Sequence, residues 1–134
     1  MEIYVISIVG AVILGIILFG RRKKEEVTEQ HVLTEDERLS INRANDFKMI
    51  VEDIFTITGK GTVVTGKIES GLVEINETVE LYGSTGLKRK VLILGVEMFR
   101  KTLNYAQAGD QVGLLLGDIA KNEIQRGDSL NLIR

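Results

Sequence analysis

The sequence predicts an all-β fold, a small closed six-stranded antiparallel β-barrel, preceded by an N-terminal transmembrane helix. From Phe47 onward, short stretches of strand-like composition alternate with glycine-containing turns, whereas residues 3–20 form an uncharged run rich in Ile, Val and Leu. The 134 residues include no Cys, Trp or Pro and one His, and the formal net charge is −2. These absences exclude disulfides, thiolate zinc sites and a cysteine nucleophile, and they argue against an enzyme.

The apolar run over residues 3–20 is long enough to cross a membrane. Its 18 residues, at ~1.5 Å each, give a helix of about 27 Å, close to the ~30 Å hydrocarbon core of a bilayer. A basic quartet follows it at once: Arg21, Arg22, Lys23 and Lys24. This order is the reverse of that in a secretory signal, and the positive-inside rule places the quartet in the cytoplasm. We therefore expect residues 1–20 to be a single-pass anchor with the N-terminus outside; a cleaved or peripheral segment is the alternative.

Residues 21–46 are expected to form a charged cytoplasmic tether, because they contain too few apolar side chains to fold alone. Within it, Thr34 and Glu37 have the spacing of a capping box, which predicts a short helix over Glu35 to Ala44. As a coil, the 26 residues would reach about 28 Å, so the following domain would stay near the membrane surface. The basic quartet would then meet anionic lipid headgroups, or act only as a topology signal.

Residues 47–134 are expected to form the barrel, with strands at about 48–57, 62–69, 77–82, 88–99, 111–117 and 129–133. The first two strands flank Gly59-Lys60-Gly61, a tight turn in which glycine allows positive φ. This segment is not a phosphate loop, because position 54 is Ile where that motif needs glycine, and a strand follows instead of a helix. On this hairpin we expect Ile57, Val63 and Ile68 to share one face.

Four segments carry a resemblance to a known family. Residues 51–71, Val-Glu-Asp-Ile-Phe-Thr-Ile-Thr-Gly-Lys-Gly-Thr-Val-Val-Thr-Gly-Lys-Ile-Glu-Ser-Gly, resemble the start of domain 2 of bacterial elongation factor Tu. Residues 95–101 (Gly-Val-Glu-Met-Phe-Arg-Lys), 108–116 (Ala-Gly-Asp-Gln-Val-Gly-Leu-Leu-Leu) and 123–128 (Glu-Ile-Gln-Arg-Gly-Asp) also resemble that domain. The resemblance implies a translation-protein β-barrel over about residues 47–132. We expect a stand-alone, membrane-anchored barrel without a GTPase domain or a third domain, and hence no GTP binding.

The resemblance also implies a ligand site. In the family, this barrel holds the 3′-terminal adenosine of aminoacyl-tRNA, and the pocket positions fall on Ile57, Gly59, Val63, Glu97 and Leu115. The apolar members could sandwich an adenine face and Glu97 could accept a hydrogen bond, although these residues could equally be barrel core and rim. Arg100 falls where the family places an arginine near the tRNA end, and it is the candidate phosphate contact.

This sequence departs from the family at two places near the site. Gln111 stands where the family usually has Asn, and Gly117-Asp118 replaces a usual Arg-Gly pair, which exchanges a positive charge for a negative one. Lys88, Arg89 and Lys90, with Arg100 and Lys101, could also offer a basic strip to ribosomal RNA, or be a solvated edge.

These observations predict a non-catalytic binding module, anchored in the cell membrane by one span, with its barrel on the cytoplasmic face. Its expected partners are membrane lipid and a translation-related RNA, either a tRNA 3′ end or ribosomal RNA. The alternative is an adaptor protein whose barrel contacts another protein. We expect no cofactor and no metal.

Overall fold

The computed structural model describes residues 32–134, of which Leu33–Arg134 form one compact unit. Helix α1 (Glu35–Ala44) precedes ten strands within this range. The strands are β1 (Phe47–Ile50), β2 (Asp53–Ile57), β3 (Gly61–Ser70), β4 (Leu72–Glu74), β5 (Thr78–Gly83), β6 (Gly86–Met98), β7 (Lys101–Leu103), β8 (Tyr105–Gln107), β9 (Gln111–Gly117) and β10 (Ser129–Leu132). A 3-10 turn occupies Lys121–Glu123.

The expected transmembrane helix at residues 1–20 and the basic quartet Arg21, Arg22, Lys23 and Lys24 lie outside the described residues. Within residues 32–134, no helix has the length and hydropathy needed to cross a bilayer.

Six strands close into an antiparallel barrel in the order β1, β10, β5, β6, β9, β3, and β3 pairs back onto β1. Alternate side chains of these strands fill the interior, as in β3, where Val64 and Ile68 are fully buried. The predicted closed six-stranded barrel is thereby confirmed. The expectation that Val63 and Ile68 share a face is wrong, because residues five positions apart on a strand point to opposite sides.

The segment expected as one strand over residues 48–57 is two strands, β1 and β2, which pair with different halves of β3. Between them, the Val51 N–H donates to the Asp128 carbonyl at 2.8 Å, and the Gly127 N–H donates to the Val51 carbonyl at 2.9 Å. The chain crosses Gly66 closely there, since a Cβ on Gly66 would collide with the Ile50 carbonyl oxygen. The glycine therefore permits the bend at which the first strand leaves β10 and continues along β3.

Helix α1 occupies the residues predicted from its capping sequence, and the Glu37 N–H donates to the Thr34 hydroxyl oxygen at 3.2 Å. The helix lies against a small second sheet in which β4 pairs with β8. Gln107 of β8 joins the two, because its Nε2 donates to Glu35 and its Oε1 accepts from Asn42, both at 2.8 Å. Residues 35–44 are thus packed on the barrel unit instead of extending away from it.

Candidate functional site

A surface cleft of about 210 Å3 lies on the outer face of β3, β9 and β6. The strand register places Val63 opposite Leu115 and Leu115 opposite Gly95, so these three positions form a row across the sheet. Because side chains alternate along a strand, Val64 and Leu114 point into the core while Val63 and Leu115 face the cleft.

The cleft is a depression because its floor includes glycine. A Cβ on Gly95 would lie 3.4 Å from Leu115 Cβ, and a Cβ on Gly113 would lie 3.5 Å from Val63 Cγ1. Both distances are ordinary contacts, so a side chain at either position would occupy the space of the cleft without straining the sheet.

A β-bulge in β6 supplies one wall. Ile93 pairs with Leu116 and Gly95 pairs with Leu115, which leaves Leu94 as the extra residue, and its side chain is 45% exposed. As a result, the side chains that point inward are at odd-numbered positions before the bulge, as at Ile93, and at even-numbered positions after it, as at Val96. Leu94 was not predicted from the sequence, where the only signal was a glycine at position 95 inside a strand.

Four of the five residues expected in the adenosine-type pocket line this single cleft: Ile57, Val63, Glu97 and Leu115. The fifth, Gly59, lies in the β2–β3 turn with φ of 81° and does not line the cleft. Its role is to allow the turn that brings the following residue, Lys60, to the cleft wall. Lys60 and Thr102 also line the cleft and were not predicted from the sequence.

Besides the Thr102 hydroxyl, the cleft has two charged groups, the carboxylate of Glu97 and the ammonium of Lys60. Neither side chain forms an ion pair within the part of the chain that the structure describes. One acceptor and one cation are therefore available to a ligand that occupies the apolar surface between them.

Arg100 does not line the cleft but lies at the tip of the β6–β7 hairpin, beyond Glu97. Met98 pairs with Lys101, so the loop contains two residues, and both have positive φ: 54° at Phe99 and 66° at Arg100. This is the geometry of a type I′ turn, which normally uses Asn and Gly. The tip exposes Phe99 to 84% and places Arg100 in solvent beside the cleft.

Two cations of the expected basic strip are already paired. Lys88 contacts Asp128 at 2.7 Å and Arg89 contacts Glu123 at 2.8 Å. The hydrogen bond from Arg89, and after it one from the Ala120 N–H, holds the pKa of the Glu123 carboxyl below its ordinary value of 4.5. The strip therefore offers less positive charge to RNA than its sequence suggests.

The two sequence departures lie outside the cleft. Gln111 donates from Nε2 to the Glu52 carboxylate at 2.9 Å. Gly117 is covered by Leu94, whose Cγ would lie 3.3 Å from a Cβ there, and Asp118 follows it with φ of 54°.

A closed antiparallel barrel with an apolar cleft over three adjacent outer strands is the architecture of a small β-barrel domain of the kind found in translation factors. The family profile described as elongation factor Tu domain 2 matches residues 61–130, which is just over half of the 134 residues. The chain belongs to the elongation factor Tu domain 2 family. The matched segment includes Val63, Glu97 and Leu115, and it begins after Ile57 and Lys60.

Proposed function

We propose that this protein is a non-catalytic binding module whose cleft holds the 3′-terminal adenosine of an RNA such as tRNA. The observation that supports this most is the arrangement of Ile57, Val63 and Leu115 around one cleft with Glu97 at its edge. Apolar side chains can cover an adenine face, and the carboxylate can accept a hydrogen bond from a ribose hydroxyl or the adenine amino group.

The cleft is large enough for one nucleoside at the end of an RNA, but not for a larger ligand. Its volume of about 210 Å3 is below the ~300 Å3 at which small-molecule sites usually begin. One nucleoside fits this scale, whereas a complete dinucleotide cofactor does not. Phosphate contacts supply most of the affinity of proteins for RNA, so a single nucleoside cleft is expected to bind weakly.

We further propose that residues 1–20 anchor the protein in the cell membrane, with the barrel on the cytoplasmic side. The support is the apolar run over residues 3–20 followed by Arg21, Arg22, Lys23 and Lys24. A high local concentration of barrels at the membrane would offset part of the weak affinity of each cleft. In intact cells, protease added outside should leave the barrel uncut; cleavage before permeabilisation would contradict this topology.

The test of RNA binding is capture from a lysate by residues 33–134, the compact unit that includes α1. The cleft variant is Glu97→Ala combined with Ile57→Asp. The matched control is Glu69→Ala combined with Leu87→Asp, which makes the same chemical changes at exposed positions outside the cleft. Sequencing should recover RNA 3′ ends with the wild type and the control but not with the cleft variant. Equal recovery with all three proteins would contradict the proposal.

An adaptor role is the second candidate, because apolar exposure extends beyond the cleft. Phe55 of β2 and Leu92 of β6 are both large exposed side chains that do not line it. An adaptor should lose a defined protein partner, identified by cross-linking, when Phe55→Asp and Leu92→Asp are combined, and keep that partner in the Glu97→Ala, Ile57→Asp variant.

A further inference from the structure

A second cleft, of about 480 Å3, adjoins the first on the other side of β7. Helix α1 contributes Glu35 and Arg38 to its lining, and the β6–β8 segment contributes Met98, Leu103 and Tyr105. Thr102 lines both clefts, so the two are neighbours across a single strand. Helix α1 lies outside the residues that match the family profile, and the second cleft depends on this helix for Glu35 and Arg38.

The β6–β7 hairpin forms the ridge between the two clefts. Its paired residues Glu97 and Thr102 line the first cleft, whereas Met98 lines the second. At the end of the ridge, Arg100 and Lys101 are exposed, and neither has an ion-pair partner among residues 32–134. A phosphodiester that crosses the ridge would meet these two cations.

The lining of the second cleft suits a nucleobase. Tyr105 provides an aromatic ring and Arg38 a guanidinium plane, the two side-chain types on which unpaired bases stack, and Met98 adds a polarisable apolar surface. The carboxylates nearby are already engaged. Glu35 accepts from Gln107 and Arg38, and Asp110 accepts from the Gln107 backbone N–H at 2.9 Å. The carboxylates of Glu35 and Asp110 would repel a phosphate in this cleft but not a neutral base. A base is therefore favoured in the cleft, and the phosphate is favoured on the ridge beside Arg100 and Lys101.

We propose that the second cleft holds the nucleoside that precedes the terminal adenosine, so that the protein takes a two-nucleotide, single-stranded RNA 3′ end across the β6–β7 ridge. This inference rests on the proposed function of the first cleft. It assigns α1 a part in binding: the helix completes the second subsite and supplies Arg38 to it.

The test compares adenosine 5′-monophosphate with the RNA dinucleotide ApA, titrated into residues 33–134 and followed by NMR chemical shifts. Arg38→Gln combined with Tyr105→Leu alters the second cleft and keeps apolar bulk at position 105. Arg43→Gln is the control on the same helix, because Arg43 pairs with Glu74 outside the cleft. Residues 45–134 provide a second comparison, since α1 contributes no buried residue and its removal leaves the core complete.

We expect the wild type and Arg43→Gln to bind ApA about tenfold more tightly than the mononucleotide, the order expected for stacking one more base. The Arg38, Tyr105 variant and residues 45–134 should lose that advantage and keep their affinity for the mononucleotide. The inference would be overturned, and the proposed function would stand, if the wild type bound the two probes equally. The same holds if residues 45–134, which lack α1, still bound ApA more tightly than the mononucleotide. Absence of mononucleotide binding by the wild type would overturn the proposed function and the inference with it.

Discussion

Gln107 of β8 and Glu35 of α1 are joined by a hydrogen bond of 2.8 Å from the amide Nε2 to the carboxylate. Gln107 is only 4% exposed, and the helix satisfies both ends of its amide, since Asn42 donates to its Oε1. Helix α1 itself buries no residue. Polar pairing at Gln107, more than apolar packing, therefore holds this helix against the barrel.

Replacing Gln107 with Leu should release α1 while leaving the barrel folded. We expect the free energy of unfolding to fall by about 1–2 kcal/mol, as for other buried hydrogen-bonded side chains. Hydrogen exchange should show faster exchange of the α1 amides and unchanged protection of β3 and β9. Arg43→Gln is the control and should cost at most about 1 kcal/mol, because its ion pair with Glu74 is largely solvated. Unchanged exchange in α1 of the Gln107→Leu protein would show that the amide does not hold the helix.

The Arg89–Glu123 pair should make stability depend on pH in the acid range. Because the folded-state pKa of Glu123 lies below 4.5, the contribution is fully present above that pH and is lost as the pH falls through the lowered value. NMR titration should give a Glu123 midpoint below 4.5 that rises in Arg89→Gln. A midpoint that the Arg89 change leaves in place would assign the shift to the Ala120 N–H instead.

Two glycine-to-alanine changes should differ sharply in their effect on stability. In Gly66→Ala the new methyl group would collide with the Ile50 carbonyl oxygen, and we expect a loss of about 3 kcal/mol or more. In Gly113→Ala the nearest atom would be 3.5 Å away, so the free energy of unfolding should change by less than about 0.5 kcal/mol. Urea denaturation measures both. Gly113→Ala should nonetheless weaken ligand binding, because it fills the cleft floor; undiminished binding would exclude this cleft as the site.

A substitution in the turn at the β6–β7 tip should stabilise the protein. A non-glycine residue in the left-handed region carries a cost of about 1–2 kcal/mol, which Asn reduces. Phe99→Asn should therefore raise the free energy of unfolding by about 1 kcal/mol, seen as a higher urea midpoint with an unchanged slope. Phe55→Asn, also exposed but in an ordinary strand, should not stabilise the protein. A lower midpoint for Phe99→Asn would mean that the Phe99 ring makes a stabilising contact.

Much of the barrel could be predicted because its signals are local. Glycine turns and β-branched runs place five of the six expected strands within two residues of observed strands. The split between β1 and β2 was not predictable in this way, since it arises where the chain leaves β10 and continues along β3 as β2. The position of this break depends on pairing between residues distant in sequence, and only Gly66 indicates it.

The candidate site was predictable in part, but from the family resemblance and not from local signals. Ile57, Val63, Glu97 and Leu115 were identified through the family resemblance, and the strand register brings them together. Leu94 was not predicted because the bulge changes which side chains face outward, and amino-acid composition does not mark where a bulge lies. The capping sequence at Thr34 predicted α1, but its docking required knowing that Gln107 would lie beneath it.

The attachment of α1 also bears on which contacts would carry a pulling force applied to the chain before Leu33. A pull on the chain N-terminal to Leu33 reaches Glu35, Asn42 and Arg43 before it reaches β1. Those residues pass the force to Gln107 and Glu74, in the small sheet of β4 and β8, which is not part of the closed barrel. We therefore expect tension to act first on contacts outside the ring of six strands, and the bonds of β1 to β10 and β3 to break only after the helix has detached.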